Sequence, residues 1–228
     1  MRSSAFLLPI ALASCVPAAR APRRAPVPPR RAGPQSAVPP SSPYQRPVVD
    51  EQARRACLAR LSADGARFQP LPDRFYTDQC WALAAVRLDN IGMPVTNLGQ
   101  MTCELADSLT RWTRDATQKA AVAWLDAPVI RIESFGTYSC RPINNVPGAR
   151  LSEHGHANAV DISGFVLANG RRITVLADWN GPDPYARNFL RAVHDAGCRR
   201  FNVVLGPDAN ALHRNHFHFD MGPGRACR

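Results

Sequence analysis

The octapeptide HRNHFHFD, residues 213–220, holds three of the six histidines of this 228-residue chain. Alternate side chains of an extended strand share one face. A strand here would place His216, His218 and Asp220 on one face and the two phenylalanines between them on the other. The segment therefore predicts a β-strand that packs an apolar face on a core and presents a polar face able to bind a metal ion.

The patterns on either side of this strand mix helices with strands. Apolar residues at helical spacing predict helices over 51–63, 101–125 and 184–198, the last capped at Gly197. Alternation predicts strands over 129–140 and 200–206 and a hairpin over 159–179 around Asn169-Gly170, whereas residues 80–88 fit either a strand or a helix. We expect an α+β fold, a single domain with a central antiparallel sheet and flanking helices, over residues 50–228.

Residues 1–15, MRSSAFLLPIALASC, have the basic, apolar and small-residue order of a bacterial secretion signal and are too short to span a membrane. The final LASC resembles the lipobox of bacterial lipoproteins, which implies cleavage before Cys15 and lipid modification of that cysteine. The protein would then be anchored on the periplasmic side of a membrane, and Val16 is compatible with the outer membrane. Cleavage elsewhere, giving a free periplasmic protein, is the alternative.

Residues 16–49 are rich in Pro, Arg and Ala and have too few apolar side chains to form a core, so they predict a disordered, semi-rigid tether. The formal net charge is +10, but seven arginines and no acid precede Asp50, and the remainder nets only +3. The charge therefore gives no reason to expect a nucleic acid partner. The basic tether suits anionic lipid or wall polymers, or serves only as a solvated linker.

The cysteines also favour export. Besides Cys15, six remain, an even number that predicts three disulfides in an exported domain. Fifteen pairings are open, and the sequence does not choose among them. The six are Cys57, Cys80, Cys103, Cys140, Cys198 and Cys227.

A second polar stretch, SEHGHANAVD at residues 152–161, can complete a metal site. His154 lies on a predicted loop, and Asp161 lies near the start of the hairpin strand. Catalytic zinc takes three His, Asp or Glu ligands and leaves a fourth position for water. Spacing alone leaves a group of surface polar residues equally open, and we expect His194, alone in a helix, to be a surface or packing residue.

These motifs resemble those of a group of zinc peptidases. The D-alanyl-D-alanine carboxypeptidases and penicillin-insensitive murein endopeptidases carry S-x-H-x-x-G-x-A-x-D followed by a terminal H-x-H. Ser152, His154, Ala159 and Asp161 match this pattern. Ala157 stands where the motif has Gly, which puts the backbone of the loop in doubt, since Ala adopts fewer conformations.

The domain resembles the bacterial extensin-like protein C-terminal family more closely, through TYSCR, NAVDISGF, LADW, VLGPDANALHRNHFHFD and the closing ACR. The resemblance implies a Zn²⁺ ion bound by His154, Asp161 and His218. It implies that His216 acts as a proton shuttle or oxyanion stabiliser and that His213 supports the site. Related carboxypeptidases have an arginine where this chain has Arg141, which would hold or polarise the substrate.

The sequence thus predicts an exported zinc-dependent peptidase that acts on the stem or cross-link peptides of peptidoglycan. One alternative is a non-catalytic, zinc-containing lipoprotein that binds the cell wall or has a structural role. Another is a peptidoglycan amidase, which cuts between sugar and peptide. The cleaved bond and the oligomeric state are not specified by the sequence.

Overall fold

A computed structural model describes residues 46–228, all of which belong to one compact unit. The predicted signal at 1–15, the lipidation site Cys15 and nearly all of the predicted tether lie outside the described residues. Between residues 46 and 228, no helix combines the length and apolar character needed to cross a membrane.

The fold contains five α-helices and eleven short strands within the described range. The helices are α1 (Glu51–Ala63), α2 (Cys103–Trp112), α3 (Gln118–Leu125), α4 (Val175–Asp178) and α5 (Pro184–Cys198). The strands are β1 (Arg67–Pro70), β2 (Arg74–Phe75), β3 (Trp81–Ala82), β4 (Ala85–Asn90), β5 (Gln100–Thr102), β6 (Val129–Gly136), β7 (Ala159–Leu167), β8 (Arg172–Thr174), β9 (Val203–Leu205), β10 (Phe217–Asp220) and β11 (Ala226–Cys227).

The main sheet has six strands in the order β11-β9-β10-β7-β6, with β8 also paired to β7. Every pair in it is antiparallel except β11 with β9. The remaining strands form a three-stranded sheet, β1-β4-β5, and the hairpin β2-β3. The predicted α+β class is confirmed, although the strands form several sheets rather than one.

Two predicted elements, the helix over 101–125 and the hairpin, differ in detail. The helix predicted over 101–125 begins only at Cys103, because Thr102 ends β5 and caps the helix by accepting from Leu105 N–H. A π-helical segment, Thr113–Thr117, separates α2 from α3. The second strand of the hairpin is short, since the chain turns into α4 after Thr174.

Gly197 is not the cap of α5, which continues to Cys198. A Cβ atom at Gly197 would lie 3.0 Å from Cε1 of Phe219, so the glycine allows α5 to pack closely on β10. At the start of α5, the Asp183 side chain caps the helix by accepting from Tyr185 N–H, and Pro184 lies in the first turn, as is common at helix N-termini.

The core lies between the helices and one face of the main sheet. The ring of Trp112 on α2 meets Phe219 edge to face at 5.1 Å, and Phe165 on β7 meets Phe189 on α5 at 5.0 Å. Phe217 and Phe219 are fully buried on this side. Since side chains alternate along β10, His218 and Asp220 project from the opposite face.

The six cysteines of the described domain form three disulfides, as predicted, and the structure gives their pairing. The bridges are Cys57–Cys103, Cys80–Cys140 and Cys198–Cys227. The second bridge joins the β2-β3 hairpin to the residue that precedes Arg141.

Candidate metal centre

The pairing of β7 with β10 places two of the predicted ligands side by side. Asp161 lies directly opposite His218 in the antiparallel register. His218 Nδ1 is 3.0 Å from Asp161 Oδ1, and both side chains are buried. Two residues 57 positions apart in the sequence therefore meet because of one register between neighbouring strands.

The third predicted ligand, His154, comes from a 3₁₀ turn formed by Glu153–His156. The Ser152 hydroxyl begins this turn by accepting from His154 N–H. His154 Nε2 lies 3.2 Å from both Asp161 Oδ1 and His218 Nδ1. One ligand atom from each of the three residues therefore lies within 4.8 Å of the other two.

Ala157 ends this turn in the left-handed conformation, with φ 54° and ψ 28°. This position is the one where the related peptidases have glycine, and the backbone reaches the glycine-like conformation with an alanine. Its methyl group is fully buried against Ala82 and Ala85. The departure from the motif therefore leaves the turn intact, at a cost of about 1–2 kcal/mol for the left-handed backbone.

In both His154 and His218, the ring nitrogen that faces away from Asp161 donates a hydrogen bond to a neighbouring group. His154 Nδ1–H donates to the carbonyl oxygen of Thr137 at 2.7 Å. His218 Nε2–H donates to Asp220 Oδ2 at 2.9 Å, and Asp220 Oδ1 accepts from Gly222 N–H at 2.8 Å. These bonds leave His154 Nε2 and His218 Nδ1 facing Asp161, and in the neutral rings both atoms would offer a lone pair to a metal ion.

Asp220 and the Thr137 carbonyl were not among the predicted site residues. The alternation in HFHFD already put Asp220 on the polar face, so its role could have been derived from the sequence. The Thr137 carbonyl is a main-chain group, and no side-chain pattern marks it.

The charges in the group favour a bound cation. Burial raises the pKa of Asp161, but hydrogen bonds from His154 and His218 outweigh this and hold its pKa well below the usual range. Burial lowers the pKa of His218, but hydrogen bonds to Asp161 and Asp220 outweigh it and raise the pKa to about 9. Without a metal, a proton on His218 therefore supplies the positive charge between the two carboxylates.

His216 and His213 stand beside the three predicted ligands. His216 Nε2 is 3.5 Å from Asp161 Oδ1, and its Nδ1–H donates to Asn215 Oδ1. His213 Nδ1–H donates to Asn210 Oδ1 at 2.9 Å. Burial is the main cause that lowers the pKa of both, to about 4 for His213, so both rings are neutral at pH 7 and can accept a proton.

A cavity of about 450 Å³ opens over these residues, and its wall includes Arg141. Arg141 lies at the base of the 142–151 loop, where the Arg141 carbonyl oxygen accepts from Ser152 N–H. The Arg141 side chain is half-buried, and no carboxylate between residues 46 and 228 forms an ion pair with it. Such a guanidinium is available to an anionic group of a ligand.

The other two histidines lie apart from this cavity. His156 stacks on Trp81 with ring centroids 4.1 Å apart. His194 is buried against Trp179 and Phe217, which confirms a packing role, and its Nε2–H donates to the Arg228 carbonyl oxygen. Trp179 is itself a core residue, 3% exposed, and does not line the cleft.

All of these site residues fall within a match to a family model described as "Extensin-like protein C-terminus", which covers residues 55–228. The chain belongs to this family. No curated protein and no solved structure matches the chain. The description of the extensin-like family states no reaction.

Proposed function

We propose that this extensin-like protein is an exported, zinc-dependent peptidase that cleaves stem or cross-link peptides of peptidoglycan, on a fold like that of the murein zinc peptidases. The observation that carries the proposal is the buried group of His154, Asp161 and His218, with one ligand atom from each within 4.8 Å of the others. Two imidazoles and one carboxylate are a ligand set of catalytic zinc sites, which keep a fourth position open.

The hydrogen bonds around the group support this assignment. The Thr137 carbonyl and Asp220 fix the orientation of the two imidazoles before any metal binds, as outer groups do in metalloenzymes. A zinc ion held there would polarise an amide carbonyl and lower the pKa of a water molecule toward 7.

The neighbouring side chains supply the remaining requirements of amide hydrolysis. His216, neutral at pH 7 and with its Nε2 3.5 Å from Asp161 Oδ1, can take the proton of the attacking water and return it to the leaving amine. His213, on the same wall, supports this transfer. Arg141 can hold a substrate carboxylate or stabilise the negative charge that develops on the amide oxygen.

Export to a periplasm is proposed on the N-terminal sequence and on the cysteines. Three disulfides suit an oxidising compartment. The predicted signal at 1–15 would deliver the chain there, with Cys15 as its lipid anchor. A Cys15→Ser variant should move the protein from the membrane fraction to the soluble periplasm; an unchanged distribution would argue against the anchor.

A digestion experiment tests the activity. The purified chain is incubated with isolated peptidoglycan, with and without a chelator, and the released fragments are weighed by mass spectrometry. Chelator-sensitive peptide fragments are expected, and their masses identify the bond. Release of whole stem peptides from the sugar would indicate an amidase. Binding to the wall without fragments, from zinc-loaded protein, would favour the wall-binding alternative.

A further inference from the structure

A second cavity, of about 640 Å³, adjoins the one over the metal centre. Arg150, Leu151 and Glu153 line both cavities and form the wall between them. Glu153 immediately precedes the ligand His154. A substrate bound at the metal centre can therefore extend past this wall into the second cavity.

Most polar side chains of the second cavity are already engaged. Asn158 Oδ1 accepts from the Thr102 hydroxyl at 2.9 Å, and its Nδ2–H donates to Glu153 Oε2 at 2.9 Å. Asn202 Nδ2–H donates to the carbonyl oxygens of Met221 and Gly222. These amides stabilise the cavity wall and have little capacity left for a ligand.

Glu153 differs from these amides because its carboxylate is only half engaged. Oε2 accepts from Asn158, whereas Oε1 has no hydrogen-bond partner between residues 46 and 228 and is not sealed from solvent. The side chain is only 16% exposed. No Lys or Arg of the described residues lies within ion-pair distance of it; His156 Nδ1 is 3.6 Å away, and Arg150 on the same wall acts on the carboxylate from farther off.

Gly222 fixes the position of this carboxylate. A Cβ atom there would lie 2.8 Å from both Cγ and Cδ of Glu153, so only glycine allows the acid to occupy its place. The backbone supports the same arrangement, since Asn158 N–H donates to the Glu153 carbonyl oxygen at 2.9 Å.

We propose that Glu153 is a specificity residue whose free carboxylate oxygen binds a primary ammonium group of the substrate in the second cavity. This inference rests on the proposed function and refines it, because the substrate becomes a peptide that carries a free amine near the bond to be cut. A largely buried carboxylate gains most from a charged N–H donor, since hydrogen bonds between ions are about twice as strong as neutral ones.

The test measures binding, without turnover, by calorimetry on the purified full-length chain. The probes are Nα-acetyl-lysyl-D-alanyl-D-alanine and the same tripeptide with its side-chain amine also acetylated. We expect the free amine to bind about 10- to 100-fold more tightly, the range of a hydrogen bond to a charged group. Glu153→Gln should remove this preference and leave the affinity for the acetylated probe unchanged.

Two further variants separate charge from structure. Gly222→Ala keeps the carboxylate but displaces it, and should reduce the preference as well. Glu51→Gln, at the exposed start of α1, removes the same charge from a residue outside the cavity lining and should keep the full preference.

Equal binding of the two probes by the wild-type chain, no binding of either probe, or a preference that survives Glu153→Gln would each overturn the inference. An amine preference that depends on Glu153, in a chain that never cuts peptidoglycan, would support the binding site and refute the peptidase. Cutting without any amine preference would refute the site and leave the peptidase standing.

Discussion

The two faces of β10 each hold a buried histidine environment, and the two environments are chemically opposite. On one face His218 meets Asp161, His154 and Asp220. On the other, Phe217 packs against His194 and Trp179. His154 and His194 are almost equally inaccessible, at 3% and 5% exposed.

The difference lies in the atoms that surround each ring. His194 has aromatic rings on its sides, one main-chain carbonyl at 3.1 Å and the exposed carboxylate of Asp195 at 3.4 Å. Cys198 and Cys227 are near it, but they are joined in a disulfide and offer no thiolate. Burial alone therefore does not distinguish the two sets of residues; the convergence of three possible ligand atoms, with both imidazoles backed by an outer hydrogen bond, does.

Zinc content should separate the two faces most strongly. His218→Ala and Asp161→Ala each remove a ligand, so zinc measured by mass spectrometry should fall from about one ion per chain to almost none. His194→Ala should keep its zinc while losing about 2–4 kcal/mol of unfolding free energy, the usual range for removing a buried side chain. Full zinc in both ligand variants would refute the assignment.

His216→Ala should uncouple zinc binding from turnover. The ring lies outside the three-residue group, so zinc content should stay near wild type. The rate of peptide release should fall about 10²- to 10⁴-fold, the usual contribution of a general acid-base. Loss of zinc together with rate would instead make His216 a ligand.

Substitution of Asp220, the carboxylate that accepts from His218 Nε2–H, should have the next smaller effect on zinc binding. Asp220→Asn weakens the support of His218 and should lower zinc affinity about 10- to 100-fold in a competition with a chelating dye. Asp195→Asn is the matched change beside His194 and should leave zinc affinity unaltered. Equal effects of the two substitutions would remove the distinction between the two faces.

The pH dependence of stability should be modest and confined to the chelated protein. The pKa of His218 is raised to about 9, above its unfolded value of about 6.5, so its contribution is complete below pH 6.5 and is lost as the pH rises through 9. The Tm of chelated wild-type protein should therefore fall by a few degrees between pH 6.5 and 10. His218→Asn should lack this decline, and a parallel decline in the variant would show that another group is responsible.

Much of the site followed from sequence because strand alternation is a local property. The HFHFD pattern alone separates the ligand face from the aromatic face, and the predicted hairpin and the helix at 184–198 exist. The opposition of Asp161 and His218 depends on a register between distant segments, which the sequence pattern does not specify. The pairing of six cysteines is non-local in the same way.

Other features depend on main-chain geometry or on close packing. The Thr137 carbonyl accepts from His154 without any side-chain marker, and the apolar pattern of the predicted helix does not mark the π-helical segment Thr113–Thr117 between α2 and α3. Glu153 lines the cavity wall because Gly222 leaves room for its stem, a close approach that no side-chain pattern in the sequence marks.

The direct opposition of Asp161 and His218 restricts which changes in chain length the protein can tolerate. A shift of one residue between β7 and β10 would turn every side chain of β10 to the other face, so that a phenylalanine would oppose Asp161 and a histidine would enter the aromatic layer. Loss of a single residue within Phe217–Asp220 would therefore damage the ligand group and the core together. The loop before the strand is free of this register constraint, but His213 and His216 at its end must keep their places on the cavity wall.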